Sequence, residues 1–187
     1  MQLSDKCTWA CIILFPVLLL LIFANVLLFD IPTYRSLLEP DAVNATVSLL
    51  QYFDSVRPLP GLFDSREAAH LVDVKYVVNG VQLLLLVIFI VFLWLFQYAQ
   101  MEQVFTRGAL LLLAAAFLLW MLPFDALFTK FHEALFAPGT WVFPQESALI
   151  RMYPFAFFQA FFAKIVLHAA LVGSIFGLWG LVRQKPR

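Results

Sequence analysis

The sequence predicts an all-α, polytopic membrane protein: a bundle of four transmembrane helices with short outward interfacial helices. Three observations lead there. Of 187 residues, 63% are hydrophobic and only 13% charged, and mean hydropathy is +0.90, far more apolar than a soluble domain. Four runs, 7–29, 77–98, 108–127 and 155–182, are each long enough for a bilayer, which takes about 20 apolar residues per helix. Basic residues also gather at the chain ends. The expectation is a single integral membrane domain, 1–187, with outward segments 30–76 and 128–154.

The basic residues orient the spans. Arg183, Lys185 and Arg187 follow the last run and Lys6 precedes the first. Positive charge flanking a span tends to stay cytoplasmic, so both termini are read as cytoplasmic. Arg107, in the turn between the second and third spans, agrees. Arg35, Arg57, Arg66, Lys75, Lys130 and Arg151 fall outside, so the rule is met only loosely. The 12 basic and 12 acidic residues cancel, and no nucleic-acid partner is expected.

The first span carries Cys7 and Cys11 one helical turn apart, with no histidine or further cysteine near them; they read as small packing residues rather than a disulfide or metal site. The run is too long for a secretory h-region and is expected to be retained. Pro16 is tolerated inside a membrane helix and can kink it. Pro32 and Pro40 then punctuate a turn. Asp41 is expected to cap a helix reaching about Val56, with Val43, Val47, Leu50, Phe53 and Val56 near one face, lying in the membrane interface. Asn44-Ala45-Thr46 fits the glycosylation pattern, which is read as a chance match.

The polar residues concentrate just before the second span. Asp64 and Glu67 form a capping box: a short acceptor closing the helix start and an acid three residues on to answer it. The helix then carries Arg66, Glu67, His70, Asp73 and Lys75. Spacings of three and four put Glu67, His70 and Asp73 on one face, with Arg66 beside His70. Asn79 and Gln82 follow as interhelical hydrogen-bonding residues. The third span ends near Pro123 in a continuing or broken helix with His132 and Glu133. Trp141 reads as an interfacial belt residue, and 145–153 as one more short helix. In the fourth span Lys164 and His168 share a face, and Lys164 lies about 13 Å along the axis from Phe155. Either it faces the bundle and pairs with Asn79 or Gln82, or it is functional.

His70 and His132 fall in the two outward segments, each with a carboxylate beside it in sequence: Asp73 or Glu67 for the first, Glu133 for the second. Imidazoles exchange protons near neutral pH. No Gly-x-Ser-x-Gly elbow exists, and both cysteines lie at the other end of the membrane. Zinc ligands are too few and no phosphate-cradling glycine loop is present, so neither metal nor cofactor is expected. What remains is proton management at a membrane surface. The alternative from another class is a proton- or ion-handling subunit using Lys164 and His168, which would need a polar path through a cytoplasmic half with almost nothing polar in it.

The stretch Arg66-Glu67-Ala68-Ala69-His70-Leu71-Val72-Asp73-Val74-Lys75, then Phe131-His132 with Leu135-Phe136, Trp141, and Leu149-Ile150-Arg151-Met152-Tyr153-Pro154 followed by Phe157-Phe158, resembles the bacterial lipoprotein intramolecular transacylase family. The likeness spans roughly residues 62–158. It implies an enzyme of the bacterial cytoplasmic (inner) membrane, with its site facing outward and diacylated lipoproteins and membrane lipid as partners. The implied reaction is an O-to-N acyl transfer: the sn-2 chain of the diacylglyceryl group moves to the amine of the N-terminal cysteine, giving an N-acyl lyso form. The family's functional histidines fall on His70 and His132. Amine and ester sit on one molecule, so no covalent acyl-enzyme is required. One histidine would serve as base and the other would protonate the leaving oxygen or bond the oxyanion; which is which stays open. Asp73 would orient His70, Glu67 would support the same face, Lys75, Arg66 and Arg151 would supply positive charge, and Tyr153 would be a possible donor. His70 and His132 are then expected to meet at one substrate-sized cavity opening sideways to lipid.

Overall fold

The computed structural model describes residues 2–184, which form eight helices. They are α1 (Leu3–Leu28), α2 (Ile31–Arg35), α3 (Pro40–Phe53), α4 (Ser65–Phe96), α5 (Met101–Met121), α6 (Phe124–Leu135), α7 (Ala148–Met152) and α8 (Phe155–Arg183). Lys185 and Arg187, used in the orientation argument, lie outside the described residues. Among the described residues α1, α4, α5 and α8 are long and apolar enough to cross a membrane, and none forms a strand. The protein is an all-α membrane protein, as its composition requires.

Length explains how a spanning helix can also carry a polar site. α4 has 32 residues and rises about 48 Å, against a hydrocarbon core about 30 Å thick. The surplus is about 12 residues, which matches the polar stretch from Ser65 to Tyr76.

Local chemistry sets the boundaries. Asp30 caps α2 by accepting from Thr33 N at 2.9 Å and from the Thr33 hydroxyl at 2.6 Å. Asp41 does not cap α3. Pro40 takes the first helical position, the cap falls on Glu39 with no side-chain bond, and Asp41 sits in the first turn near the positive helix end. α3 stops at Phe53, Ser55 turns the chain at φ 60°, and Val56 is left exposed rather than on the packed face. α5 ends at Met121 because Pro123 cannot donate to a continuing ladder; Leu122 is extended at ψ 141°, and α6 starts afresh at Phe124.

The residues group into two compact units. In the first (2–25, 82–122 and 164–184), Cys11, Ile12, Phe15, Leu18 and Leu19 of α1 pack with Phe92 of α4, Val104 and Leu112 of α5, and Ala169 of α8. Gly180 lets α8 approach α5 closely: a Cβ there would meet Glu102 O at 2.8 Å and Thr106 Oγ1 at 2.7 Å. Cys7 and Cys11 are buried and free.

In the second unit (26–81 and 123–163), Tyr34, Val43, Leu49, Leu50, Phe53, Leu71, Leu149, Tyr153 and Phe157 form one core. Thr46 and Tyr153 join α3 to the end of α7 at 2.7 Å. The Thr46 hydroxyl donates to Ala42 O, so it accepts from the Tyr153 hydroxyl. Burial pushes the Tyr153 phenol up to about 12.

Candidate active site

The start of α4 is closed as the capping box requires. Asp64 Oδ1 accepts from Arg66 N and Glu67 N, both at 2.8 Å, and Glu67 Oε2 accepts from Asp64 N at 2.9 Å. Glu67 goes further. It is 2% exposed, and its second oxygen, Oε1, accepts from Leu149 N at 2.9 Å. One buried carboxylate therefore ties the first turn of α4 to the first turn of α7, whose own cap is Ser147 accepting from Ile150 N at 3.2 Å. Glu67 holds backbone, one turn ahead of His70, and makes no hydrogen bond to the imidazole among the described residues.

α4 and α6 bring the two histidines together. The His70 and His132 rings lie 6.5 Å apart between centroids, 24° from parallel. His132 Nδ1 is 2.7 Å from Phe128 O, one turn earlier on α6. A carbonyl oxygen can only accept, so Nδ1 carries the hydrogen and Nε2 of the neutral ring carries the lone pair. Burial lowers the His132 pKa from 6.5, and the bond to Phe128 O opposes that shift only in part. His132 is therefore a neutral imidazole near pH 7 with one basic nitrogen of fixed identity. His70 is 9% exposed, and its Nδ1 is buried with no hydrogen-bond partner.

Aromatic rings enclose the pair. Phe136 touches both, at 4.8 Å from His70 and 5.4 Å from His132 between centroids. Phe143 lies 5.4 Å from His70 and Trp141 4.9 Å from His132. Sequence reasoning missed Phe136 and Phe143 as neighbours of the site and read Trp141 only as a belt residue. The available signal was the density of rings between two prolines in 138–144, but nothing local says which ring meets which imidazole.

The other candidate residues disperse. Arg66 donates from one terminal nitrogen to Gly139 O at 2.6 Å and Val142 O at 2.9 Å, and its guanidinium lies 5.5 Å from the Phe143 ring. It fastens the turn that carries Trp141 and Phe143. Lys75 donates to Tyr52 O at 2.7 Å and sits over the Tyr52 ring at 4.3 Å, capping the negative end of α3. Tyr153 is bonded to Thr46, and Arg151 is exposed in the last turn of α7. Glu133 pairs with Lys130 at 2.7 Å and not with His132. Asp73 is exposed and, among the described residues, hydrogen-bonds neither His70 nor any other group. His168 bonds back to Lys164 O at 2.7 Å, and Lys164 Nζ has no hydrogen bond to Asn79 or Gln82 among the described residues.

A cavity of about 390 Å³ lies in the second unit, lined by Asp73, Tyr76, Val77, Leu135, Phe136 and Ala137. Neither histidine lines it. Phe136 forms its wall and simultaneously contacts both imidazoles.

Fold and site together define a helical membrane protein with a paired-histidine centre set among aromatic rings, on the polar end of a spanning helix. The family model described as lipoprotein intramolecular transacylase Lit matches residues 7–158, and the chain belongs to that family. Its fold is similar to that of the membrane-integral lipoprotein intramolecular transacylase Lit from Bacillus cereus, at TM-score 0.76 and 20% identity, covering 96% of this chain and 94% of that one. Two variants of the Bacillus cereus protein are also similar. One has a histidine replaced by alanine (TM-score 0.76, 18% identity), and the other has a histidine replaced by arginine (TM-score 0.73, 17% identity). Each covers 96% of this chain and 92% of its own. No curated protein sequence matches the chain.

Proposed function

We propose that this chain moves the sn-2 acyl group of a diacylglyceryl lipoprotein onto the amine of that lipoprotein's N-terminal cysteine, using His70 and His132, on the outward side of the bacterial inner membrane with both termini cytoplasmic. The observation that carries this reading is the approach of the two rings to 6.5 Å, from segments 62 residues apart (132 − 70).

The atoms balance without an enzyme nucleophile. His132 Nε2 takes a proton from the amine as nitrogen bonds to the ester carbon. The tetrahedral intermediate then breaks its bond to the glyceryl oxygen, and the proton held on His132 passes to that oxygen. The products are an amide and an alcohol, and His132 returns to its starting form. His70 stays neutral and donates a hydrogen bond to the oxyanion. A buried N–H without an acceptor is rarer than an unpaired lone pair, so its partnerless Nδ1 favours the tautomer with hydrogen on Nε2, the donor this role needs. Proton transfer is worth about 10²- to 10⁴-fold, and holding amine and ester together about 7 to 11 kcal/mol. Asp73 supports the site from the same helix face, whereas Glu67, Arg66 and Lys75 act through backbone.

Mass spectrometry of lipoprotein N-terminal peptides, from cells with and without the chain, tests this. His70→Ala and His132→Ala are each expected to abolish the N-acyl lyso form. Normal levels of that form with either variant refute the assigned roles.

A further inference from the structure

We infer that Asp73 and its cavity form the recognition site for a primary ammonium group attached to an apolar body, the protonated N-terminal cysteine of the lipidated substrate. The inference rests on the transacylase reading for the identity of the ligand, but the site itself is argued from the structure.

Asp73 is the only ionisable acid lining the cavity, and Tyr76 supplies the only other polar side chain; Val77, Leu135, Phe136 and Ala137 are apolar. An exposed carboxylate beside such walls suits a cation that carries an apolar body: the charge pairs with Asp73 and the body lies on the apolar wall. Arg66 is engaged by Gly139 O and Val142 O, Lys75 by Tyr52 O, and Lys130 by Glu133. Among the described residues Asp73 has no ion-pair partner.

The volume, about 390 Å³, suits a head group rather than a whole lipid-modified chain end. The cavity also lies where the polar start of α4 gives way to its apolar run at Val77, so a bound ammonium keeps its chains beside apolar helix surface. Phe136, which lines the cavity, also contacts both imidazoles. Substrate held at Asp73 is a charged ammonium, which releases one proton to solvent before its amine attacks the ester.

The test uses purified full-length protein in detergent and an ether-linked dialkylglyceryl-cysteine dipeptide, which has no ester and cannot react. Its affinity is compared with that of its N-acetylated counterpart. Wild-type protein is expected to bind the free amine about fivefold to tenfold more tightly, the preference to vanish in Asp73→Asn, and to survive in Asp73→Glu. Equal binding of both probes by wild type, or a preference kept by Asp73→Asn, overturns the inference. Wild-type protein that shows the preference yet never acylates the ester substrate refutes the transacylase reading while leaving the ammonium site standing.

Discussion

Replacing Glu67 by glutamine changes one atom of a side chain that satisfies two backbone donors 85 residues apart (149 − 64), Asp64 N and Leu149 N, each at 2.9 Å. The amide keeps a single acceptor and turns the other oxygen into a donor facing an N–H. The acceptor is expected to stay with Leu149, whose bond is buried, and the bond at the partly buried Asp64 N is then lost. A hydrogen bond to a charged group contributes about 1.5–3 kcal/mol and a neutral one about 1. Losing one and weakening the other therefore costs roughly 2 to 5 kcal/mol of folding free energy. Glu67→Ala strands both donors and costs about 3 to 6 kcal/mol. Denaturant unfolding in mixed micelles reads the loss, and hydrogen exchange locates it: amides at 147–152 should lose protection in both variants. A change below about 1 kcal/mol for Glu67→Gln, with exchange at Leu149 unaltered, would refute the view that this carboxylate fastens α7 to the helix bearing His70.

Burial holds His132 below 6.5, so the acid limb of kcat/KM should fall below pH 6.5, read from the pH–rate profile of the wild-type protein. The sign for stability is the same: the unfolded chain takes up the proton first, so stability declines as pH drops below 6.5, a loss followed by unfolding at a series of pH values. Tyr153→Phe should cost about 1 kcal/mol through the lost bond to Thr46 while leaving turnover within a few-fold, because the hydroxyl is spent in the core. A hundredfold fall in turnover at unchanged stability would place that hydroxyl on the substrate instead.

What could be read from the residues is what depends on near neighbours. The Asp64–Glu67 box spans three residues, and both its bonds form, because the same helical turn that defines the motif brings the groups together. The link from His132 to Phe128 O is equally local, at i−4, although an imidazole bonding its own helix carries no sequence signature. Asp41 was misjudged as a cap because Pro40 claims the first helical position and moves the cap back to Glu39. Carboxylates adjacent in sequence to histidines were poor guides to their partners: Glu133 turned to Lys130 and Glu67 to backbone. Each found a nearer or better-buried donor.

The sequence by itself determined that this is an all-α membrane protein, because apolar runs of that length have few other ways to satisfy their backbone. It also marked His70 and His132 as the residues to watch through their scarcity and their family motif. Only the tertiary structure decided that the rings lie 6.5 Å apart, that Phe136 both lines the cavity and contacts the two rings, and that Arg66, Lys75 and Tyr153 spend their polar groups on main chain and core. Those outcomes turn on which donors and acceptors meet across 23 to 107 residues of chain. Helical periodicity says which face a side chain takes, but not what the rest of the fold brings to that face.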